Sequence, residues 1–181
     1  MSAERDSELV KKATGGDARA FEALVNRHYA TMFKMAFKWC GNRADAEDIT
    51  QNACIKLARA LKTYEHKAAF TTWLYRLVIN TAIDMKRHEK RHDHAQAEMD
   101  EMQGSDSPEA SVYAKEILKE IGRLPEKEKI AILLVFGEGM NHAEAAYVME
   151  VKESTVSWYI HEARKKLDQF NSHQNKERHH G

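Results

Sequence analysis

Residues 141–167 read NHAEAAYVMEVKESTVSWYIHEARKKL, and this stretch decides the fold of the C-terminal half. Asn141 stands three residues before Glu144, the spacing at which a capping side chain and a carboxylate satisfy each other's helix-end groups. The pattern predicts a short helix over AEAAYVM, a turn around Glu150–Glu153, and a longer helix from about Ser154 to Phe170. Val156, Ile160, Ala163 and Leu167 recur at helical spacing and form the inner face of that second helix. A short helix, a tight turn and a longer helix make a helix-turn-helix, whose second helix enters the DNA major groove by its N-terminal turns. Ser154, Thr155, Ser157, Trp158 and His161 are therefore candidates for contact with base edges or a thymine methyl. Arg164, Lys165 and Lys166 suit phosphates, which position a helix without reading sequence.

Working outward, KEKIAILLVF is a strongly apolar helix stopped by Gly137 and Gly139, with Pro125 allowed at its first turn. A further helix runs from roughly Pro108 to Gly122. Before it, residues 93–111 carry six acids and neither Lys nor Arg, with Gly, Ser and Pro interspersed. That composition reads as a flexible acidic linker between two domains. The tail from Asn171 to Gly181 reads as disordered.

The N-terminal half is helical throughout. Asp17 caps a helix whose Phe21, Leu24, Val25, His28, Tyr29, Met32 and Ala36 form an apolar stripe broken at Gly41-Asn42. A second helix, DAEDITQNACIKLARAL, places Ile49, Ala53, Leu57 and Leu61 on one face. Asp45, Glu47 and Asp48 lie in its first turn, where the helix dipole favours anions. A third helix starts near Phe70, with Phe70, Trp73, Leu74, Leu77, Val78 and Thr81 as its inner stripe. Arg76, Asn80, Asp84 and Arg87 form a separate row, and the helix ends in KRHEKR. Exposed aromatics near its start and cations near its end are what a single-strand DNA binder needs, since aromatic faces stack on unpaired bases and cations hold phosphates.

Composition bounds the function. The 181 residues carry 28 Lys and Arg against 28 Asp and Glu, so a polybasic histone-like protein is excluded. With 8 Gly and 2 Pro, a collagen or a turn-dense β-sandwich is excluded too. Neutrality hides a partition: residues 1–92 carry 17 basic and 11 acidic groups, and residues 112–181 carry 11 of each. Cys40 and Cys54 read as buried free thiols, and the sequence shows neither an apolar span of membrane length nor a signal core. A reduced, cytoplasmic setting follows as the expectation. His88, His92 and His94 have metal-like spacing but read as a solvated end. The sequence has no nucleotide fingerprint or nucleophile motif, so neither a cofactor nor a metal is expected, and an enzyme reading has no residue to name.

Taken together, the two halves resemble a small extracytoplasmic-function (ECF) sigma factor of the sigma-70 family, over residues 7–92 and 112–170. DAEDITQNACIKLARAL followed by FTTWLYRLVINTAIDMKR is similar to the family's second region, and LPEKEKIAILLVF through EARKKL to its fourth. The resemblance implies an all-α fold of two domains. Residues 1–92 would dock on core polymerase and melt and read the minus-ten element, 93–111 would link, and 112–170 would read the minus-thirty-five element. It implies a dissociable promoter-specificity subunit, with promoter DNA and core RNA polymerase as partners. Phe70, Thr71, Thr72 and Trp73 match the stretch associated with melting, and Asn80, Asp84 and Arg87 the helix that reads the minus-ten element. Ser154 to Lys166 match the upstream reader. The helix from Asp45 to Leu61 matches the docking surface for the clamp helices of the largest catalytic subunit, and the flap of the second largest would engage the fourth region. A near-neutral chain binds DNA poorly alone and well only when polymerase holds it, because affinity scales with the phosphates neutralised. The competing class is a stand-alone helix-turn-helix regulator, which has no use for FTTWLYR.

The chain departs from the family at the docking helix. Family members usually follow D-A-E-D with Gln-Glu and often carry another acid after R-A-L. Here Gln51-Asn52 and Lys62-Thr63 occupy those places. Each lost ion pair is worth about 0.5–3 kcal/mol. Phosphorylation of Thr63 would add about 1.5 to 2 negative charges beside the inverted position, and the resemblance implies a Ser/Thr protein kinase or an anti-sigma factor as the regulating partner. Thr50 is the second candidate acceptor.

Overall fold

A computed structural model describes residues 2–93 and 112–178, with side chains over 6–89 and 116–169. The chain divides into two compact units, Met1–Glu101 and Met102–Gly181. Among the described residues all regular structure is helical. The acidic linker, apart from Asp93, lies outside the described residues.

The first unit is built around α2 (Ala18–Cys40), which packs against α1 (Ser2–Thr14), α3 (Arg43–Ala60) and α4 (Phe70–Asp93). Asp17 caps α2 by accepting from the Arg19 and Ala20 amides, and Gly41 ends it at φ 82°, a left-handed conformation that glycine adopts without cost. Leu24, His28, Met32, Met35, Ala36 and Trp39 are its buried face, whereas Tyr29, placed in the stripe by periodicity, is exposed. Ile49, Ala53, Leu57 and Leu61 are buried as their spacing requires. α3 ends in a tighter 3-10 turn, Leu61–Thr63.

The sequence reading began its helices at Asp17 and missed α1. This helix is mostly polar, and among its described side chains Val10 is the buried aliphatic. What seats it is polar and distant in sequence. The buried Asp6 carboxylate accepts from Arg27 Nη1 at 2.8 Å and lies 3.0 Å from His28 Nε2. Both Cys40 and Cys54 are free and half-buried rather than buried, and partial burial pushes the Cys54 thiol pKa up.

In the second unit, α5 (Val112–Gly122) and α6 (Glu126–Ile132) precede a wider π-helical turn, Leu133–Gly137, and then α7 (His142–Met149) and α8 (Glu153–Arg178). Pro125 is the N-cap of α6. α8 packs on α6, α7 and α5 through Val156, Ile160 and Ala163, all buried. The helix continues to Arg178, past the expected end at Phe170 and through most of the expected disordered tail. Of that tail, residues 179–181 lie outside the described residues.

Asp6→Asn removes the charge that holds Arg27. We expect amide hydrogen exchange in residues 2–14 to speed up by about ten- to hundredfold, the equivalent of about 1.5–3 kcal/mol for a charge-assisted bond, while protection in α8 stays unchanged. Equal protection of residues 2–14 in both proteins would show that packing alone seats α1.

Candidate functional site

Three surfaces carry the candidate residues. The first is the start of α4. Phe70, Thr72 and Trp73 are buried, at 5%, 7% and 8% exposure, so the expectation of exposed aromatic faces there is corrected. The reason is the helical repeat: Phe70, Trp73 and Leu74 share one face, and that face packs on α2. Phe70 meets the His28 ring edge-on at 5.2 Å between centroids. Tyr64 closes the cluster, 5.4 Å from Phe70 and 5.3 Å from Trp73, with its hydroxyl donating to the Ala68 carbonyl at 2.7 Å. Asn80, Asp84 and Arg87 are exposed further along the helix, and Arg76 is half-buried. Lys56 Nζ donates to Asp84 Oδ2 at 2.7 Å, tying the outer row of α4 to α3.

The second surface is the outer face of α3. Asn42 caps the helix by accepting from the Asp45 amide at 2.9 Å, and its own amide donates to Asp45 Oδ2 at 2.6 Å. Asp45, Asp48, Gln51, Asn52 and Arg59 are exposed along this face, and Lys62 is exposed just beyond it. Ile55 sits among them at 58% exposure, an apolar centre that sequence reasoning did not single out. Its signal was available: it is seven residues after Asp48 and off the Ile49–Ala53–Leu57 stripe. Thr63 is exposed, and its hydroxyl donates to the Ala60 carbonyl at 2.7 Å. Thr50 is fully buried with its hydroxyl bonded to the Ala46 carbonyl at 2.6 Å, so it is corrected as a candidate acceptor. Beyond the turn, Lys67 pairs with Glu65 and holds its carboxyl below the usual range.

The third surface is the helix-turn-helix. The expected capping box is present: Asn141 Oδ1 accepts from the Glu144 amide and Glu144 Oε2 accepts from the Asn141 amide, each at 2.9 Å. Glu150 ends α7 at φ 55°, the left-handed cap that turns the chain into α8. Ser154, Ser157, Trp158, His161, Arg164 and Lys165 are exposed on α8, with Thr155 half-buried. Ser157 Oγ is 2.9 Å from His142 Nδ1, a bond between the two helices of the motif. Lys166 is not a free phosphate ligand as expected, because its Nζ donates at 2.5 Å to Glu128, a buried carboxylate on α6. The Arg164 guanidinium lies 5.0 Å from the centroid of the exposed Phe136 ring.

No group of three or more His, Cys, Asp or Glu among the described residues is placed to hold a metal ion. The side chains of His92 and His94 lie outside the described residues. No described helix is long and apolar enough to cross a membrane.

The geometry defines a class: an all-helical protein of two units, one ending in a helix-turn-helix and the other presenting a polar helix face beside a charged helix row. Comparison with known proteins makes it specific. The model of sigma-70 region 2 matches residues 24–92, and that of sigma-70 region 4 matches residues 114–167. The RNA polymerase sigma-H factor of Pseudomonas aeruginosa is 31% identical over 182 residues, covering 93% of this chain and 94% of the relative. The ECF RNA polymerase sigma-E factor of Escherichia coli is 31% identical, covering 90% and 92%. A solved structure of CnrH in complex with the cytosolic domain of CnrY is 25% identical, with a TM-score of 0.67 over 93% of this chain and 97% of that one. A structure of the sigma factor RpoE with the anti-sigma factor NepR from Bartonella quintana shares the fold, with a TM-score of 0.73 at 16% identity over 86% and 98%. The chain belongs to the sigma-70 family of RNA polymerase sigma factors, in its ECF group.

Burial separates the two tryptophans that sequence reading had grouped as DNA contacts. Trp73→Ala is expected to cost about 3–5 kcal/mol and Trp158→Ala no more than about 0.5 kcal/mol, read by urea unfolding of the full chain. Similar losses from both would contradict the burial described.

Proposed function

We propose that this chain is a dissociable promoter-specificity subunit whose docking to core RNA polymerase is switched on by phosphorylation of Thr63. The observation that carries this reading is the outer face of α3 and its exit. Anions stand at its N-terminal end, but Gln51 and Asn52 are neutral, Lys62 is a cation, and Thr63 is an exposed hydroxyl beside it. By the resemblance to the family this surface meets an arginine-rich clamp, and it is short of negative charge where a phosphate would supply it. Transfer of a phosphoryl group from ATP to Thr63 Oγ1, with loss of the hydroxyl proton and departure of ADP, replaces a neutral donor by three strong acceptors. Thr50 offers no rival route, since a fully buried hydroxyl is closed to a kinase.

On this reading the first unit docks through Asp45, Asp48, Gln51, Asn52 and the Lys62 end, and α4 presents Asn80, Asp84 and Arg87 to the minus-ten element. Phe70, Thr72 and Trp73 act from beneath, holding the first turn of α4 in place so that an unpaired base can be captured at its surface. Base capture offsets the few kcal/mol that unstacking costs. The upstream element meets Ser154, Thr155, Ser157, Trp158, His161, Arg164 and Lys165, with backbone phosphates taken by the last two. The polymerase supplies the chemistry and this chain the choice of start site. Two structural neighbours are complexes with NepR and with the cytosolic domain of CnrY. A protein antagonist of that kind is the alternative regulator, but it leaves the charge deficit of α3 without a role.

The test is transcription in vitro with core polymerase, using unmodified protein, Thr63-phosphorylated protein and Thr63→Ala. One charge-assisted hydrogen bond to a phosphate is worth about 1.5–3 kcal/mol, so core binding should tighten at least about tenfold on phosphorylation. Transcription should appear with it, and Thr63→Ala should stay silent. Equal binding and transcription by all three would end the switch while leaving the sigma role intact. Failure of the phosphorylated form to bind core polymerase would end both.

A further inference from the structure

Midway along α8 stand three consecutive cations, and each meets a different surrounding. Successive side chains on a helix point about 100° apart. Arg164 is seven residues after Ser157 and Lys165 seven after Trp158, so both continue the exposed row of the helix. Lys166 is three residues after the buried Ala163 and ten after the buried Val156, so it turns toward α6. There its Nζ donates at 2.5 Å to Glu128 Oε1. Glu128 is only 5% exposed, and its other oxygen has no hydrogen-bond partner among the described residues. A buried carboxylate with one partner holds that partner firmly, because separation leaves an uncompensated charge in a poor dielectric.

Arg164 is treated differently. Phe136 lies in the π-helical turn, where the Glu138 amide donates to the Leu133 carbonyl at 3.0 Å and the extra residue widens the coil. The turn leaves the Phe136 ring 56% exposed with the Arg164 guanidinium over its face at 5.0 Å. A cation over an aromatic face is attracted to it and loses conformational freedom, yet its donors stay available at the rim.

We propose that α6 and its π turn sort the three cations. Phe136 is a positioning residue that holds Arg164 ready for a promoter phosphate, and Glu128 withholds Lys166 from DNA. The inference rests on the reading of α8 as the upstream-element helix, and it assigns roles to Phe136 and Glu128, neither of which that reading uses.

The experiment measures promoter affinity of the complete holoenzyme, with Thr63 phosphorylated, across a salt series on DNA with and without the upstream element. Arg164→Ala comes first. It should weaken binding only on DNA carrying the element and flatten the logarithmic salt dependence by about 0.9. If it changes neither, α8 is not the upstream reader and the present inference falls with that reading. With that effect in hand, Phe136→Ala should weaken binding about two- to fivefold, and adding Arg164→Ala should cost no more than Arg164→Ala alone. Phe136→Tyr should retain wild-type affinity and Phe136→Leu should not. Additive losses, or full rescue by leucine, overturn the role of Phe136 and make it an apolar contact for another partner.

For the other half, Glu128→Gln and Lys166→Met are combined, so that no buried charge is left alone and the fold can be checked by circular dichroism. The salt dependence should match wild type. A flattening by about 0.9 would show that Lys166 does reach a phosphate and would overturn the sorting.

Discussion

Phe70 and Trp73 are buried because the helix that carries them has one apolar face, and the unit has one place to put it. Their seat against α2, closed by Tyr64 and His28, sets the rotation of α4 about its own axis. Rotation by a single residue would turn Asn80, Asp84 and Arg87 through about 100°. The aromatic pair thereby fixes the direction in which that exposed row faces. The same seat joins the two surfaces of the unit, since Lys56 on α3 reaches Asp84 on α4. Exposed ion pairs of that kind contribute little energy, so apolar packing sets the geometry and the charge pair trims it.

Electrostatics acts on this protein by placement and not by total. A chain with 28 charges of each sign has no net field to draw it to DNA. Its cations are useful where they are left unpaired by the fold, and several are not. Arg27 serves Asp6, Lys67 serves Glu65 and Lys166 serves Glu128. The outer face of α3 shows the reverse case, a surface whose anions thin out toward Lys62 and Thr63.

Much was legible in the sequence for a local reason. Helix caps are set by residues two or three positions apart, so Asp17 and the Asn141–Glu144 box were visible without any tertiary knowledge. Strong apolar periodicity likewise gave the buried faces of α3 and α8. α1 escaped because its anchor, Asp6, meets Arg27 across 21 intervening steps, and no periodic signal encodes that pair. The charge inversion at Lys62 ranks Thr63 ahead of Thr50 in the sequence, and only the fold shows that Thr50 is buried and Thr63 exposed.

The amino-acid order by itself determined the helical class, the two units, the helix-turn-helix and the charge pattern of α3, since each depends on residues near one another along the chain. The tertiary structure alone decided which side chains are on the surface. It buried the aromatics of α4, closed Thr50, exposed Ile55 and Phe136, and divided Arg164 and Lys165 from Lys166. The physical reason is that exposure is a property of the neighbour packed against a helix, and for these residues the neighbour comes from a distant part of the sequence.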